Sequence, residues 1–160
     1  MLIVIAVIFY VAAMIAANLL VSHFGSSVTA LNAFFLIGLD LALRDWRHLR
    51  LTAVRLGALI LFTSVLTYLL NPAAVGIAAA STLAFMASAF ADWLTFSKVR
   101  GTWLKRAYWS NVVGALVDSI LFPLLAFGPA GLAYAPGQFL AKTIGGAGWA
   151  FLLSKIKGSR

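Results

Sequence analysis

The amino-acid sequence predicts an all-α membrane protein, a bundle of six transmembrane helices joined by short loops, with both termini on the cytoplasmic side. Three observations predict this fold class. Of the 160 residues, 63% are hydrophobic and only 10% are charged, whereas soluble domains are about 45–50% apolar and about 25% charged. The apolar residues fall in six long runs, and the basic residues cluster in every second connection between those runs.

Each apolar run is close to the roughly 20 residues that a helix needs to cross the hydrocarbon core. The runs cover residues 2–21, 27–43, 51–70, 73–96, 108–127 and 137–154. Turn-forming residues separate them, and the third and fourth runs are separated by little more than Asn71-Pro72, which predicts a tight helical hairpin. Residues 1–160 are therefore predicted to form a single integral membrane domain, without room for a separate soluble domain.

The placement of the basic residues predicts how the helices are oriented. Eleven of the twelve Lys and Arg residues lie at the second connection, at the fourth connection and in the C-terminal tail. The first, third and fifth connections contain none. Because cytoplasmic loops carry an excess of Lys and Arg, this pattern predicts a multi-pass protein of the inner (cytoplasmic) membrane with the N- and C-termini inside. The twelfth basic residue, Lys142, falls within the sixth run.

Ionisable side chains inside a membrane span are costly, and we treat each one as a functional hypothesis. Asp118 lies near the middle of the fifth run and Lys142 lies in the outer half of the sixth. No other acid has a comparable depth, so we expect these two side chains to pair or to bind a shared ligand. A purely structural ion pair is the alternative.

Neutral polar residues within the runs extend this candidate substrate-binding set. Asn111 precedes Asp118 by seven residues, close to two helical turns, so both lie on one helix face. Asn32 and Gln138 supply further hydrogen-bonding groups from other runs. The alternative interpretation is that these side chains only link helices by hydrogen bonds.

Three charged residues near the cytoplasmic ends of runs are candidates for proton coupling or gating. Asp40 and Arg44 are four apart on one helix face, the spacing of an ion pair, which also allows a structural interpretation. Asp92 lies near the end of the fourth run and is either a gate residue or an interfacial acid.

The residues that are missing argue against several classes of function. The chain has no cysteine and two histidines, so it offers no thiolate site and no histidine cluster for a metal or haem. It contains no phosphate-binding loop for ATP, no HExxH and no GxSxG motif. We therefore predict no enzymatic activity, no catalytic residue, no metal and no cofactor. The net charge of +8 is placed in the connections and does not predict nucleic-acid binding.

Three short stretches of the chain carry a family resemblance, namely residues 34–44 (FFLIGLDLALR), 110–118 (SNVVGALVD) and 139–143 (FLAKT). In this order they resemble motifs of the vitamin uptake transporter family, whose members include queuosine precursor transporters. Asp92, ahead of Phe96 and the basic connection, is similar to an acid of that family at the end of the preceding helix.

The resemblance implies uptake of 7-cyano-7-deazaguanine or 7-aminomethyl-7-deazaguanine, the small flat precursors of queuosine. One carboxylate, Asp118, can accept hydrogen bonds from the adjacent N–H and amino groups of a deazaguanine. Amide side chains can hydrogen-bond its carbonyl and ring nitrogens, and aromatic residues such as Phe35 can stack on the ring.

Two other functions stay open at this point. The vitamin uptake transporter family resembles the substrate-binding membrane subunits of energy-coupling-factor transporters, which are also compact six-helix proteins. Such a subunit would carry a vitamin or nucleobase and would need an ATPase module. That subunit would dock through small residues of the first run, which are Ala12, Ala13, Ala16 and Ala17. The third hypothesis is a membrane scaffold without transport activity. The sequence leaves the driving force and the oligomeric state open.

Overall fold

The computed structural model describes residues 2–39 and 53–157, and over these residues the protein is helical. The helices are α1 (Leu2–Phe24), α2 (Thr29–Asn32), α3 (Ala53–Leu70), α4 (Val75–Lys98), α5 (Trp103–Phe127) and α6 (Ala135–Lys157). A π-helical turn, Ala33–Ile37, directly follows α2. Three 3-10 turns complete the path, at Gly25–Val28, Pro72–Ala74 and Pro129–Tyr134. No strand occurs within the described ranges, which confirms the predicted all-α class.

The chain reverses its direction between α1 and α2. Gly25, at the start of the intervening turn, has a φ of 67°, a conformation that favours glycine. The Asn32 side chain donates a hydrogen bond to the carbonyl oxygen of Ala17 at 3.0 Å. Residues fifteen apart in one straight helix would be separated by about 22 Å. The two segments therefore lie side by side and antiparallel.

The connection between α3 and α4 is the tight hairpin that the sequence predicts. The Asn71 side chain accepts a hydrogen bond from the N–H of Ala73 at 3.1 Å. Pro72 opens the short turn that follows, a position where its missing N–H costs nothing. Both helices pack against each other beyond the turn.

In the described part of the chain, three helical stretches are long and apolar enough to cross a membrane. They are Val7–Ile37, Pro72–Lys98 and Trp103–Phe127, with 31, 27 and 25 residues. The first of them contains the reversal at Gly25, so it consists of two packed segments. These stretches support a multi-pass membrane protein, whereas the count of six spans and the cytoplasmic placement of both termini stay predictions.

The helical segments pack around a closed ring. In order, the ring consists of α1, α3, α4, α5, α6 and the α2 segment with its π turn, which packs again on α1. Helix α1 also contacts α4 across the ring. A buried apolar cluster of Tyr10, Met14, Ala17, Ile37 and Phe85 joins these elements. The ring therefore brings side chains from non-neighbouring helices to its centre.

Glycines allow α6 to approach the π-turn segment very closely. A Cβ atom on Gly38 would lie 2.8 Å from backbone atoms of Gly145 and Gly146, and one on Gly145 would overlap the carbonyl oxygen of Phe34. Backbones come this near only where side chains are absent. Helix α6 runs without interruption through this crossing, so its glycines serve close packing.

Candidate functional site

A small cavity lies inside the ring, towards the end that carries the connections without basic residues. It measures about 30 Å³, room for roughly two water molecules. Its polar lining comes from α1, α2, α4, α5 and α6, namely Asn18, Thr29, Asn32, Ser81, Asp118, Gln138 and Lys142. Lys142 lies seven residues after the start of α6, so the cavity is about 10 Å from that end of the helix.

An ion pair between α5 and α6 forms one wall of the cavity. The Nζ atom of Lys142 lies 2.7 Å from Oδ2 of Asp118. Lys142 is 1% exposed and Asp118 is 3% exposed, so both charges are withdrawn from solvent. A buried charge without a partner would be very costly, which explains why the two residues occur together. The contact expected from sequence is present.

Gln138 extends this wall by one helical turn. It precedes Lys142 by four residues, so the two side chains lie on the same face of α6, and Lys142 Nζ donates to Gln138 Oε1 at 2.9 Å. Gln138 is 1% exposed. Its Nε2 atom finds no hydrogen-bond acceptor among the described residues. The amide therefore keeps donor capacity in a cavity that already contains a carboxylate.

The opposite wall is formed by two asparagines from the α1–α2 hairpin. Asn32 is fixed by its bond to the Ala17 carbonyl oxygen, which orients its amide. Asn18 is 3% exposed, and its Nδ2 atom has no acceptor within residues 2–39 and 53–157. A second amide thus holds unused donor capacity across the cavity from the ion pair.

The apolar part of the lining contains two aromatic side chains, Phe85 and Phe122, together with Ala17, Val21, Ala33 and Ile37. Phe85 of α4 is 2% exposed, and Phe122 of α5 follows Asp118 by one helical turn. Pro123, the next residue, lies inside α5. It has no N–H to donate to the carbonyl of Ser119, so one backbone hydrogen bond of α5 is missing beside Asp118. The site therefore combines charged, amide and aromatic groups in one buried space.

A buried acid–base pair in a cavity between membrane helices is the arrangement expected where a membrane protein binds its solute. The family model described as "Putative vitamin uptake transporter" matches residues 1–154. The chain belongs to this family. Comparison with curated proteins and with solved structures finds no significant match. The protein is thus a multi-pass membrane protein of the vitamin uptake transporter family.

Within this family member, the structure brings together four of the six residues predicted for substrate binding. Asp118, Lys142, Asn32 and Gln138 all line the cavity. Phe35 lies outside the cavity. Its side chain is 54% exposed on the outer surface of the helix bundle and packs edge-on against Phe34.

Asn111 lies on the same helix as Asp118 but outside the cavity lining. It is 1% exposed, and its amide nitrogen is 3.5 Å from where a Cβ on Gly146 would be. Neither polar atom of this amide has a hydrogen-bond partner among the described residues. Asn111 therefore occupies the level of the glycine crossing, about 10 Å from Asp118 along α5.

Of the predicted gating residues, the structure describes one. Asp92 of α4 is 2% exposed. Ser88 Oγ donates to the Gly114 carbonyl oxygen at 2.9 Å, which fixes the register of α4 on α5 and sets Asp92 level with Ser110. Asp92 is therefore about 12 Å along α5 from Asp118. Asp40 and Arg44 lie outside the described residues.

Sequence reasoning did not select several of the residues that line the cavity, among them Asn18, Thr29, Ser81 and Phe85. Asn18 carried a signal, as a lone amide within an apolar run, but its place opposite the ion pair depends on the reversal at Gly25. Ser81 and Phe85 carry no sequence signal that separates them from ordinary packing residues.

Proposed function

We propose that the protein is an uptake transporter for a queuosine precursor, 7-cyano-7-deazaguanine or 7-aminomethyl-7-deazaguanine, bound between Asp118, Gln138 and Asn18. The observation that carries the proposal is that one buried carboxylate and two amide nitrogens line the same cavity, and that these nitrogens have no acceptor in the described structure. The proposal places the protein in the inner membrane with both termini in the cytoplasm.

The carboxylate matches one edge of the proposed substrate. A deazaguanine presents a ring N–H and an exocyclic amino group side by side, and a carboxylate can accept from both in a bidentate arrangement. Asp118 is held in place by its 2.7 Å contact with Lys142 Nζ. Because the substrate itself is neutral in its cyano form, binding adds no further charge to the cavity.

The amide donors match the adjacent edge. The ring carbonyl of a deazaguanine is an acceptor with two lone pairs, and an amide nitrogen supplies two donors. Gln138 Nε2 and Asn18 Nδ2 lie on opposite walls of the cavity. A substrate that bonds both would relieve the cost of two buried donors without partners, which is about 1–3 kcal/mol for each group.

The size of the cavity implies that binding requires movement. About 30 Å³ is open, and a bicyclic base needs several times the space of the roughly two waters that fit there. Lys142 must therefore turn away from Asp118, or α5 and α6 must separate, before the bicyclic base can lie between Phe85 and Phe122. The N–H and amino groups of the substrate then replace the lysine as hydrogen-bond donors to the carboxylate.

Uptake by a cell unable to make the precursor tests this function. Such a strain makes queuosine in its tRNA only when supplied precursor enters the cell. We expect the wild-type chain to restore queuosine, and Asp118→Asn and Lys142→Ala to abolish it at equal membrane levels. Phe35→Ala is the matched control outside the cavity. Uptake at the original rate by inserted Asp118→Asn and Lys142→Ala proteins would show that the site is assigned wrongly.

A substrate-binding subunit of an energy-coupling-factor transporter is the second candidate, favoured by the small residues of α1. Ala12 is exposed and Ala16 is partly exposed, four residues apart on one face, where another helix could approach closely. Ala13 and Ala17 face the protein interior instead. Co-purification of an ATPase with the tagged chain, lost in Ala12→Leu, would support this candidate over independent transport.

A further inference from the structure

A groove separate from the cavity lies between the start of α5 and the end of α6. It measures about 390 Å³ and opens to the outside of the helix ring. Its floor is apolar, formed by Leu104, Ala147, Ala150 and Phe151. The two alanines leave the depth that larger side chains would fill. The groove is at the opposite end of α5 from the substrate cavity.

The polar rim of this groove is positively charged. Lys105 lines it and is exposed, and Thr102 and Tyr108 add two hydroxyl groups. Lys155 is also exposed, and its Nζ atom lies 5.1 Å from the centre of the Phe151 ring, which holds a second cation at the rim. Within residues 2–39 and 53–157, neither lysine pairs with a carboxylate.

We expect the groove to lie at the level of the membrane surface. Tyr108 and Trp109 are exposed beside it, at 44% and 48%, as expected of aromatic side chains at the headgroup level. Leu104 and Phe151 are exposed at 39% and 52%. Apolar surface of this kind faces acyl chains, while the lysines next to it face headgroups.

We propose that this groove binds one anionic phospholipid. The phosphate lies between Lys105 and Lys155, the Thr102 hydroxyl donates to it, and the upper part of one acyl chain lies along Ala147, Ala150 and Phe151. Two exposed cations without a carboxylate partner among the described residues match the negative headgroup, and basic pockets between membrane helices bind such headgroups. A free phosphate ion would leave the apolar floor without a role, so the occupant is a lipid.

Lipid retention by the purified protein tests the proposal. The detergent-solubilised chain is mixed with phosphatidylglycerol or phosphatidylcholine, and bound lipid is counted by native mass spectrometry. We expect phosphatidylglycerol to be retained and phosphatidylcholine to be lost. Lys105→Gln and Lys155→Gln should each weaken phosphatidylglycerol binding about fivefold, since a basic residue at the surface contributes about 1 kcal/mol.

Two further variants separate the groove from a diffuse surface charge. Lys98→Gln removes an exposed cation at the end of α4, outside the groove, and should leave retention unchanged. Ala147→Leu fills the groove with all charges in place and should abolish retention. Equal losses in Lys98→Gln and Lys105→Gln, full retention in Ala147→Leu, or displacement of the lipid by soluble glycerol phosphate would each overturn the proposal.

Discussion

Replacing Lys142 with methionine measures how much stability depends on the buried ion pair. The change keeps most of the side-chain volume but leaves the Asp118 carboxylate, 3% exposed, without its cation. It also removes the donor to Gln138 Oε1. Breaking a buried pair from one side costs about 3–5 kcal/mol. For a chain of this length, that corresponds to a fall in Tm of roughly 6–20 °C.

The double variant Asp118→Asn with Lys142→Met removes both charges, so no ion without a partner is left in the buried site. The Tm of this double variant, measured by thermal unfolding of the purified protein in detergent, should therefore lie well above that of Lys142→Met alone. Lys98→Met, at an exposed position, should change stability by less than about 0.5 kcal/mol. The reasoning is refuted if Lys142→Met melts with the wild type, or if the double variant melts below Lys142→Met.

Four further substitutions test the helix packing, the α3–α4 turn and the boundary of the site. Gly145→Ala, whose Cβ would overlap the Phe34 carbonyl oxygen, should cost about 1–3 kcal/mol. Gly146→Ala should be tolerated, because its Cβ would meet the Asn111 amide and the Gly38 carbonyl oxygen at ordinary contact distances of 3.5–3.7 Å. The difference is read from Tm. Asn71→Ala removes an acceptor at the α3–α4 turn and should cost about 0.5–2 kcal/mol in the same assay. Phe35→Ala should leave precursor uptake unchanged, since its ring is exposed outside the cavity.

The ion pair could be predicted from sequence because charge is scarce in this chain. Only four acids occur in 160 residues, and only one has the depth of Lys142. The cost of an unpaired buried charge then leaves a single partner, and the structure confirms the contact at 2.7 Å. The helical class follows equally directly, because long apolar runs must satisfy their backbone hydrogen bonds internally.

The faces of the second helix could not be predicted in the same way. A regular helix would keep Asn32 and Phe35, three residues apart, on neighbouring faces. The π turn Ala33–Ile37 adds a residue to the turn and shifts the side chains around the axis. Asn32 consequently faces the cavity while Phe35 faces outwards. No pattern in the residues marks this turn, which lies where the segment packs closely against α6.

The position of a polar residue along the helix axis could not be predicted from the helix face on which it lies. Asn111 and Asp118 share a helix face, as seven-residue spacing requires, yet they belong to different levels of the protein. Periodicity fixes direction around the axis, whereas membership of one site also depends on distance along it. Two helical turns cover about 10 Å, more than the width of the cavity.

Asn111 lies between the cavity and the basic end of the helices, next to the glycine crossing that closes this route. Its amide has no hydrogen-bond partner among the described residues, so it adds cost to the present conformation. A substrate that leaves towards the basic end must separate α6 from the π-turn segment and pass this amide. We therefore expect Asn111→Leu to raise Tm and to leave precursor binding at Asp118 unchanged, while uptake falls. Binding is measured by titration of the purified protein, and uptake by the queuosine content of tRNA. A lower Tm would mean that the amide has a structural partner, and undiminished uptake would mean that the substrate does not pass it.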